Sequence, residues 1–145
     1  MDKGTGRERS QGPHRPVTPE EKTFLDLLHA ASALSRGVAE VLRPSGLTTT
    51  QYNVLRILRG AHEPLTCGET AARMISRDPD VTRLVDRLEK QGLVTRSRSA
   101  EDRRVVVTEL TEAGRKLVDE LDEPVGRLHK EQLGHLGEEK LEALT

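Results

Sequence analysis

Long cationic side chains recur on one face of a short segment that the sequence predicts to be helical. An apolar stripe with the helical spacing i, i+3, i+4 and i+7 is formed by Val81, Leu84, Val85 and Leu88. The opposite face carries Thr82, Arg83, Asp86, Arg87 and Lys90. Asp78 and Pro79 suit the start of this helix, and Gly92 suits its end. Arginine and lysine on such a face are the residue types that contact phosphates and guanine edges in nucleic acids.

A predicted β-hairpin follows this helix. Residues 93–96 and 104–107 are β-prone, and the residues between them are polar and turn-like. A helix with a basic face followed by a basic hairpin is typical of a winged helix-turn-helix. In that fold the helix enters a major groove and the hairpin reaches a neighbouring groove. The alternative is a solvated helix followed by a surface hairpin, because charge runs are usually solvated faces.

Three motifs, in this order, resemble the MarR family of bacterial transcription regulators. The family pattern Leu-Glu-x-x-Gly-Leu-Val-x-Arg occurs at Leu88–Arg96, Asp-x-Arg at Asp102–Arg104, and Leu-Thr-x-x-Gly at Leu110–Gly114. Upstream, the chain is also similar to the family at Leu47, Thr48, Gln51, Tyr52, Val54 and Leu55. The resemblance covers about residues 20–145, and Thr70 departs from it, since members usually carry leucine there.

The resemblance implies a mainly α-helical winged helix-turn-helix with a small β-hairpin wing and with N- and C-terminal dimerisation helices. Residues 1–17 are polar without an apolar period, which predicts a disordered tail. Residues 18–145 are predicted to be a single domain. Within it, residues 18–45 and 112–145 would be dimerisation helices, and residues 47–110 the winged helix-turn-helix.

The resemblance also implies that a homodimer binds double-stranded DNA at a palindromic operator, whose half-sites lie about one helical turn apart. Arg83 and Arg87 are expected to face the major groove, and Asp80, if it touches a base, would accept from cytosine N4. In the wing, the family pattern places at the minor groove an arginine that an aspartate holds. Here these residues are Arg104 and Asp102. The full predicted DNA-binding set is Arg73, Arg77, Asp80, Thr82, Arg83, Arg87, Arg98, Asp102, Arg103 and Arg104.

Members of the family often bind small aromatic acids or lipophilic compounds between the dimer region and the DNA-binding lobe. This implies a repressor that is released from DNA by a small-molecule effector. The candidate ligand-binding residues are His29, Ser32 and Tyr52. A histidine or tyrosine at a helix-packing seam can equally be an ordinary core residue, because pockets contain few polar groups.

The composition limits the possible classes of protein. One Tyr, one Phe and no Trp leave Leu, Val and Ala to form a thin core, which burial between two subunits would support. No apolar run reaches the length of a membrane span, and no signal peptide is evident, so a cytoplasmic protein is expected. The net charge is only −1, yet residues 73–104 hold nine Lys or Arg against six Asp or Glu, whereas residues 109–145 hold five against ten. The positive charge is therefore concentrated where the DNA surface is predicted.

No motif indicates an enzyme, a metal or a cofactor. The five histidines are scattered, and no metal-binding spacing or phosphate-binding loop occurs. No catalytic residues are therefore predicted. Three alternatives remain open. The first is a redox-sensing regulator that uses Cys67, the single cysteine, and the second is a winged-helix module for protein interaction without DNA. The third keeps DNA binding but is an activator or an architectural antagonist of other DNA-bound proteins.

Capping and turn residues predict the remaining elements. The expected N-terminal helices run from Thr18 to about Leu42, from Thr48 to Gly60, and from Thr66 to about Ile75, with a loop at residues 61–65 before the third. A long helix is expected from Glu112 to about His135, and Pro124 should kink or break it. Its predicted apolar face is Ala113, Leu117, Leu121, Val125 and Leu128, and a last piece spans residues 138–145.

Overall fold

The structure is a computed structural model that describes residues 17–75 and 80–145. The elements are α1 (Pro19–Leu42), a 3₁₀ turn (Arg43–Ser45), α2 (Thr49–Gly60), α3 (Cys67–Arg73), α4 (Val81–Lys90), β1 (Val94–Arg98), β2 (Val106–Leu110), α5 (Glu112–Leu133), a second 3₁₀ turn (Gly134–Leu136) and α6 (Glu138–Ala143). The predicted tail, the Asp78–Pro79 helix start and Arg77 lie outside the described residues. A mainly helical fold with one hairpin confirms the predicted fold class.

The described residues divide into two compact units, with the boundary between residues 32 and 33. In the first, α1 begins at the predicted cap, where the Thr18 hydroxyl accepts a hydrogen bond from the backbone N–H of Glu21 at 3.2 Å. The apolar side chains of this unit lie on the surface. Phe24 is 60% exposed and Leu27 is 63% exposed, and Leu28 beside them is 52% exposed. This part of α1 therefore presents an apolar face that residues 17–32, the described part of the unit, leave exposed.

The second unit holds the hydrophobic core, in which leucine and valine predominate and Tyr52 is the only aromatic residue. Helices α2 and α3 begin at the predicted capping boxes, in which Thr48 pairs with Gln51 and Thr66 with Glu69. Thr70, where leucine was expected, is fully buried, and its hydroxyl donates to the Thr66 carbonyl at 2.9 Å. The polar group is therefore satisfied inside the core.

Helix α4 begins later than predicted, because the residue that caps it is Asp80 rather than Asp78. The Asp80 carboxylate accepts a hydrogen bond from the Arg83 backbone N–H at 3.1 Å. The helix buries Val81, Leu84, Val85 and Leu88, as the spacing predicts, and ends before Gly92, whose φ is +71°. That left-handed backbone suits glycine and turns the chain into the hairpin.

The hairpin is antiparallel, and its register pairs Val94 with Leu110 and Arg98 with Val106. The second strand lies two residues later than predicted, at Val106–Leu110. Leu65, predicted to lie in a loop, extends the hairpin through two backbone hydrogen bonds with Thr108, of 3.0 and 2.7 Å. These bonds are between residues distant in sequence, so local patterns do not reveal them.

The end of one helix and the buried face of another differ from the prediction. Helix α3 ends at Arg73 rather than near Ile75. Helix α5 continues through Pro124, and its buried residues are Gly114, Val118, Leu121 and Val125. Ala113, predicted to face the core, is exposed. The buried stripe starts at Gly114 because this residue packs directly on the Leu93 backbone, where a Cβ would lie 1.9 Å from the carbonyl oxygen.

Candidate nucleic-acid interface

Helix α4 exposes its basic face while its apolar face anchors it in the core. Thr82, Arg83, Arg87 and Lys90 are exposed. The apolar side packs against α2, α3 and β1, and both Val85 and Leu88 are completely buried. A helix held on one side by a packed core presents its other side as a rigid surface. Its long cationic side chains can therefore reach a ligand without the backbone moving.

Asp80 and Arg83 form a compact unit at the start of α4. One oxygen of the Asp80 carboxylate, Oδ1, accepts the capping hydrogen bond from the Arg83 backbone. The other oxygen, Oδ2, lies 2.9 Å from Nε of the same arginine. The Arg83 side chain is still 77% exposed. One carboxylate therefore holds both the backbone and the guanidinium of a residue predicted to read bases.

Arg96, absent from the predicted DNA-binding set, joins the wing to α4. Its Nη1 lies 2.8 Å from Oδ1 of Asp86, and its Nε donates to Oε2 of Glu89 at 3.0 Å. The hydrogen bond from Arg96 lowers the pKa of Glu89, and the same bond raises the pKa of the Arg96 guanidinium. These two ion pairs of Arg96 therefore hold β1 against the side of α4. Local periodicity does not predict these contacts, because Arg96 lies on β1 and its two partners lie on α4.

The loop at the wing tip is organised by its own side chains. The carboxylate of Asp102 accepts a hydrogen bond from the Arg104 backbone N–H at 2.9 Å, so it holds Arg104 through the main chain. Nη1 of Arg98 donates to the carbonyl of Arg103 at 2.6 Å, which closes the loop. Arg103 and Arg104 are exposed at this tip. The wing therefore presents two arginines on a loop that Asp102 and Arg98 shape.

The other predicted residues lie elsewhere. Arg73 is exposed in the last turn of α3. Cys67, at the start of α3, is partly buried and packs against the core. His29 and Ser32 are exposed on the first unit. Tyr52 is buried on α2 and lines a cavity in the second unit.

That cavity has a volume of about 300 Å³. Its lining consists of Ser35, Val38, Thr49, Thr50, Tyr52, Asn53, Arg56, Ile75, Val125 and His129. The Arg56 guanidinium lies 6.0 Å from the centre of the Tyr52 ring, within the range of a cation–π contact. Burial raises the pKa of Tyr52, although the charge of Arg56 acts in the opposite direction. Of the three residues that the sequence suggests for ligand binding, Tyr52 lines this cavity, and Arg56 and His129 were not among them.

An arginine on α2 ties this helix to α5. Nη1 and Nη2 of Arg59 lie 2.7 and 2.9 Å from the two oxygens of Asp122, and Nη1 also lies 2.9 Å from Asp119. The hydrogen bond from Arg59 lowers the pKa of Asp122, and the same contact raises the pKa of Arg59. Bidentate pairs of this kind fix geometry as well as charge.

Within residues 17–75 and 80–145, no cluster of three or more His, Cys, Asp or Glu side chains could hold a metal ion. None of the helices in these same ranges has both the length and the apolar character of a membrane span.

An anchored helix with an exposed basic face, followed by a hairpin joined to its side, defines a winged helix-turn-helix protein. A sequence model of the MarR family matches residues 47–106. The chain is 31% identical over 117 residues to the HTH-type transcriptional regulator FarR of Neisseria gonorrhoeae, which covers 81% of this chain and 80% of FarR. This chain therefore belongs to the MarR family of helix-turn-helix transcription regulators.

Solved structures agree with this assignment. The MarR transcription factor from Planctomyces limnophilus is 40% identical and superposes with a TM-score of 0.70, over 90% of this chain and 95% of that one. CouR from Rhodococcus jostii RHA1, solved bound to p-coumaroyl-CoA, is 28% identical with a TM-score of 0.71, over 80% of this chain and 81% of CouR. These similarities confirm the family and the fold that the sequence predicts.

Proposed function

We propose that this regulator represses transcription as a homodimer on a palindromic operator and that a small aromatic or lipophilic acid releases it. The observation that carries the proposal is the rigid, exposed basic face of α4 beside a wing that Arg96 fastens to it. A dimer would hold two copies of this surface at a fixed distance. We therefore expect an operator with two half-sites about one helical turn apart. No catalytic role is assigned.

In the proposed complex, α4 enters the major groove. Thr82, Arg83 and Arg87 would face base edges, and arginine is the side chain that pairs bidentately with guanine. Arg103 and Arg104 at the wing tip would reach the minor groove and its phosphates, where groove width and charge are read. Arg73 and Arg77 are assigned to phosphates, and Arg98 and Asp102 to the support of the wing tip.

The proposed dimer would cover the apolar face of the first unit. Phe24, Leu27 and Leu28 are spaced i, i+3 and i+4 on α1, and more than half of each is exposed. Contiguous exposed apolar surface of this kind marks an interaction site. A second copy of the chain is the proposed occupant, because an operator with two-fold symmetry requires two copies of α4.

The proposed effector site is the cavity lined by Tyr52. Its volume lies at the lower end of the range for small-molecule sites. Arg56 and His129 in its lining are suited to a carboxylate, and Val38 and Val125 to an apolar body. CouR, a relative of this chain, was solved bound to p-coumaroyl-CoA, which supports a small-molecule effector here. His29 and Ser32 remain secondary candidates for effector binding, on the resemblance to the family alone.

Selection of bound DNA from a random pool tests the proposed operator. The expected result is one enriched sequence made of two inverted half-sites. Its affinity should fall steeply with salt, because several phosphates are contacted. A pool that shows no enrichment would favour the alternative of a protein-interaction module. Enrichment of a single, asymmetric site would contradict the homodimer on a palindrome.

The effector proposal is tested with benzoate and its hydroxylated derivatives in the same binding assay. A compound that binds should weaken operator binding, and the operator should weaken that compound's binding by the same factor. Arg56→Gln should reduce this response while leaving the operator affinity of the ligand-free protein near that of the wild type. If DNA leaves the affinity of every bound acid unchanged, the release mechanism is wrong.

A further inference from the structure

We propose that Asp80 is a positioning residue that sets base discrimination by holding the guanidinium of Arg83, and that it does not itself read a base. This inference rests on the proposed function, in which α4 enters the major groove. It concerns one carboxylate and one arginine at the start of that helix. Its basis is the geometry of both carboxylate oxygens.

The two oxygens of Asp80 are directed to two different parts of Arg83. Oδ1 accepts the backbone N–H at 3.1 Å, and Oδ2 lies 2.9 Å from Nε. The first contact caps the helix and fixes the position of Asp80 relative to the Arg83 backbone. The second contact therefore acts from a fixed point, and it restrains the side-chain torsions of Arg83.

The contact between Asp80 and Nε does not use the two terminal nitrogens of the Arg83 guanidinium, which would contact a base. A guanidinium carries one N–H on Nε and four on its two terminal nitrogens. Asp80 engages Nε, whereas bidentate pairing with guanine O6 and N7 can use the terminal nitrogens. The Arg83 side chain remains 77% exposed while Asp80 holds it. An arginine fixed in this way is organised for base contact before DNA arrives.

Charge gives a second reason against direct base reading by Asp80. If the carboxylate turned Oδ2 away from Nε of Arg83 to accept from cytosine N4, it would lose the contact with the guanidinium. It would also approach the negatively charged DNA backbone with less of its own charge compensated. Retaining both contacts is therefore favoured when the helix enters the groove.

Immobilising one long side chain on binding costs on the order of a two- to tenfold loss in affinity. If Asp80 removes this cost for the guanine that Arg83 contacts, its loss should reduce discrimination at that position by about the same two- to tenfold factor. Other operator positions should keep their preferences, because in the proposed role Asp80 acts on base recognition through Arg83.

The test is Asp80→Asn in the full chain. Asparagine is as good a helix N-cap as aspartate, so the capping hydrogen bond is kept. Its side-chain NH₂ cannot accept from Nε, however, so the hold on the guanidinium is lost. Thermal unfolding of the variant checks that the fold is intact. Asp80→Ser, which also caps, provides a second route if the first variant is unstable.

The readout is the ratio of affinities for the selected operator and for variants at each symmetric pair of positions. Because ratios are compared, the general gain in affinity from removing one negative charge cancels. Glu109→Gln, which removes an exposed negative charge from β2, is the matched charge control and should leave every ratio unchanged. Each variant is also made together with Arg83→Ala.

The expected result is that Asp80→Asn lowers base discrimination at one symmetric pair of operator positions only. This should be the pair at which Arg83→Ala also removes the base preference. Asp80→Asn should add nothing further in the Arg83→Ala background. Loss of preference at a different position would mean that Asp80 reads a base itself, and additive effects would mean that the two residues act separately. Either outcome, or unchanged ratios, overturns the inference. If the wild-type protein shows no base preference at any position, the proposed function itself is contradicted, independently of Asp80.

Discussion

Two arginines of the same stretch have different surroundings, and these decide their roles. Arg83 is held at Nε by one carboxylate and projects from α4, with 77% of its side chain exposed. Arg96 lies against two carboxylates, Asp86 and Glu89, and only 31% of its side chain is exposed. Each of these arginines contributes one positive charge, so the net charge of the stretch does not distinguish them. Their partners indicate that one faces outward toward a ligand while the other holds the wing in place.

Arg96→Ala should weaken binding to all operator variants by similar factors, about three- to tenfold, because the wing would have to be ordered on binding. The preference among variants should stay the same. The salt dependence should also stay the same, because Arg96 is expected to contact carboxylates rather than phosphates. The measurement is a set of binding titrations at several salt concentrations.

A matched control for this variant is Arg127→Ala, which removes an arginine–glutamate pair of 2.6 Å on the surface of α5. It changes the net charge by the same amount, and its effect on affinity should be small. A salt slope that becomes shallower by about one unit per protomer in Arg96→Ala, but not in the control, would show that Arg96 contacts DNA.

At the scale of elements, the start of α5 is fixed to the end of α4. The Leu93 carbonyl accepts a hydrogen bond from the Thr111 backbone N–H at 3.1 Å, and the Thr111 hydroxyl donates to the Gly92 carbonyl at 2.7 Å. Gly114 allows the two backbones to come this close. The wing is therefore held at its base as well as along its side.

Gly114→Ala should destabilise the protein by about 1–3 kcal/mol, because its Cβ would overlap backbone atoms that cannot move independently. Gly126→Ala, in the same helix, has open space at the Cβ position. That control should stabilise the protein by up to about 1 kcal/mol through helix propensity. Urea unfolding at one fixed protein concentration measures both. Equal effects from the two variants would contradict the close approach at Gly114.

The pair between Arg59 and Asp122 predicts a pH dependence of stability. Because Arg59 lowers the pKa of Asp122 in the folded protein, the unfolded chain takes up its proton first as the pH falls. The contribution of this pair is therefore complete above the ordinary pKa of aspartate. It is lost as the pH falls through the lower pKa of the folded state.

Asp122→Asn should accordingly be less stable than the wild type near neutral pH, and the difference should shrink as the pH falls from about 5 toward 3. Urea midpoints across this range measure the difference. Arg59→Gln should have a similar profile, and the double variant should lose less than the sum of the two. A difference that grows on acidification would contradict the assigned direction of the pKa shift.

The sequence predicts the elements where the signal is local. The spacing of Val81 to Leu88 and the capping boxes at Thr48 and Thr66 were sufficient for α2, α3 and α4. The contacts of Arg96, the pairing of Leu65 with Thr108 and the packing of Gly114 on Leu93 join residues that local periodicity does not relate. The contacts of Arg96 therefore became visible only when the elements were brought together, whereas the pair of Asp80 and Arg83 lies within the start of one helix.

At the scale of the whole molecule, the proposed dimer depends on the exposed apolar face of α1. A protein with a thin core and three large apolar side chains exposed on one helix face is expected to be a dimer at micromolar concentration. Leu27→Glu should shift it toward monomer, because a charge would be buried in the interface. Ala33→Glu, off this face of α1, is the control. Sedimentation that gives a stable wild-type monomer would contradict the dimer.

Binding titrations of Arg83→Ala and Arg104→Ala against operator variants, at several salt concentrations, test the proposed contacts of α4 with the major groove and of the wing with the minor groove. Arg83→Ala should flatten the preference at one symmetric pair of positions, where an arginine–guanine pair discriminates by about 1–3 kcal/mol.

Arg104→Ala should instead weaken all variants evenly. It should also make the salt slope shallower by about one unit per lost contact, and a dimer carries two such contacts. If Arg104→Ala alters base preference while Arg83→Ala lowers affinity evenly, α4 does not read the major groove and the wing does not contact the minor groove.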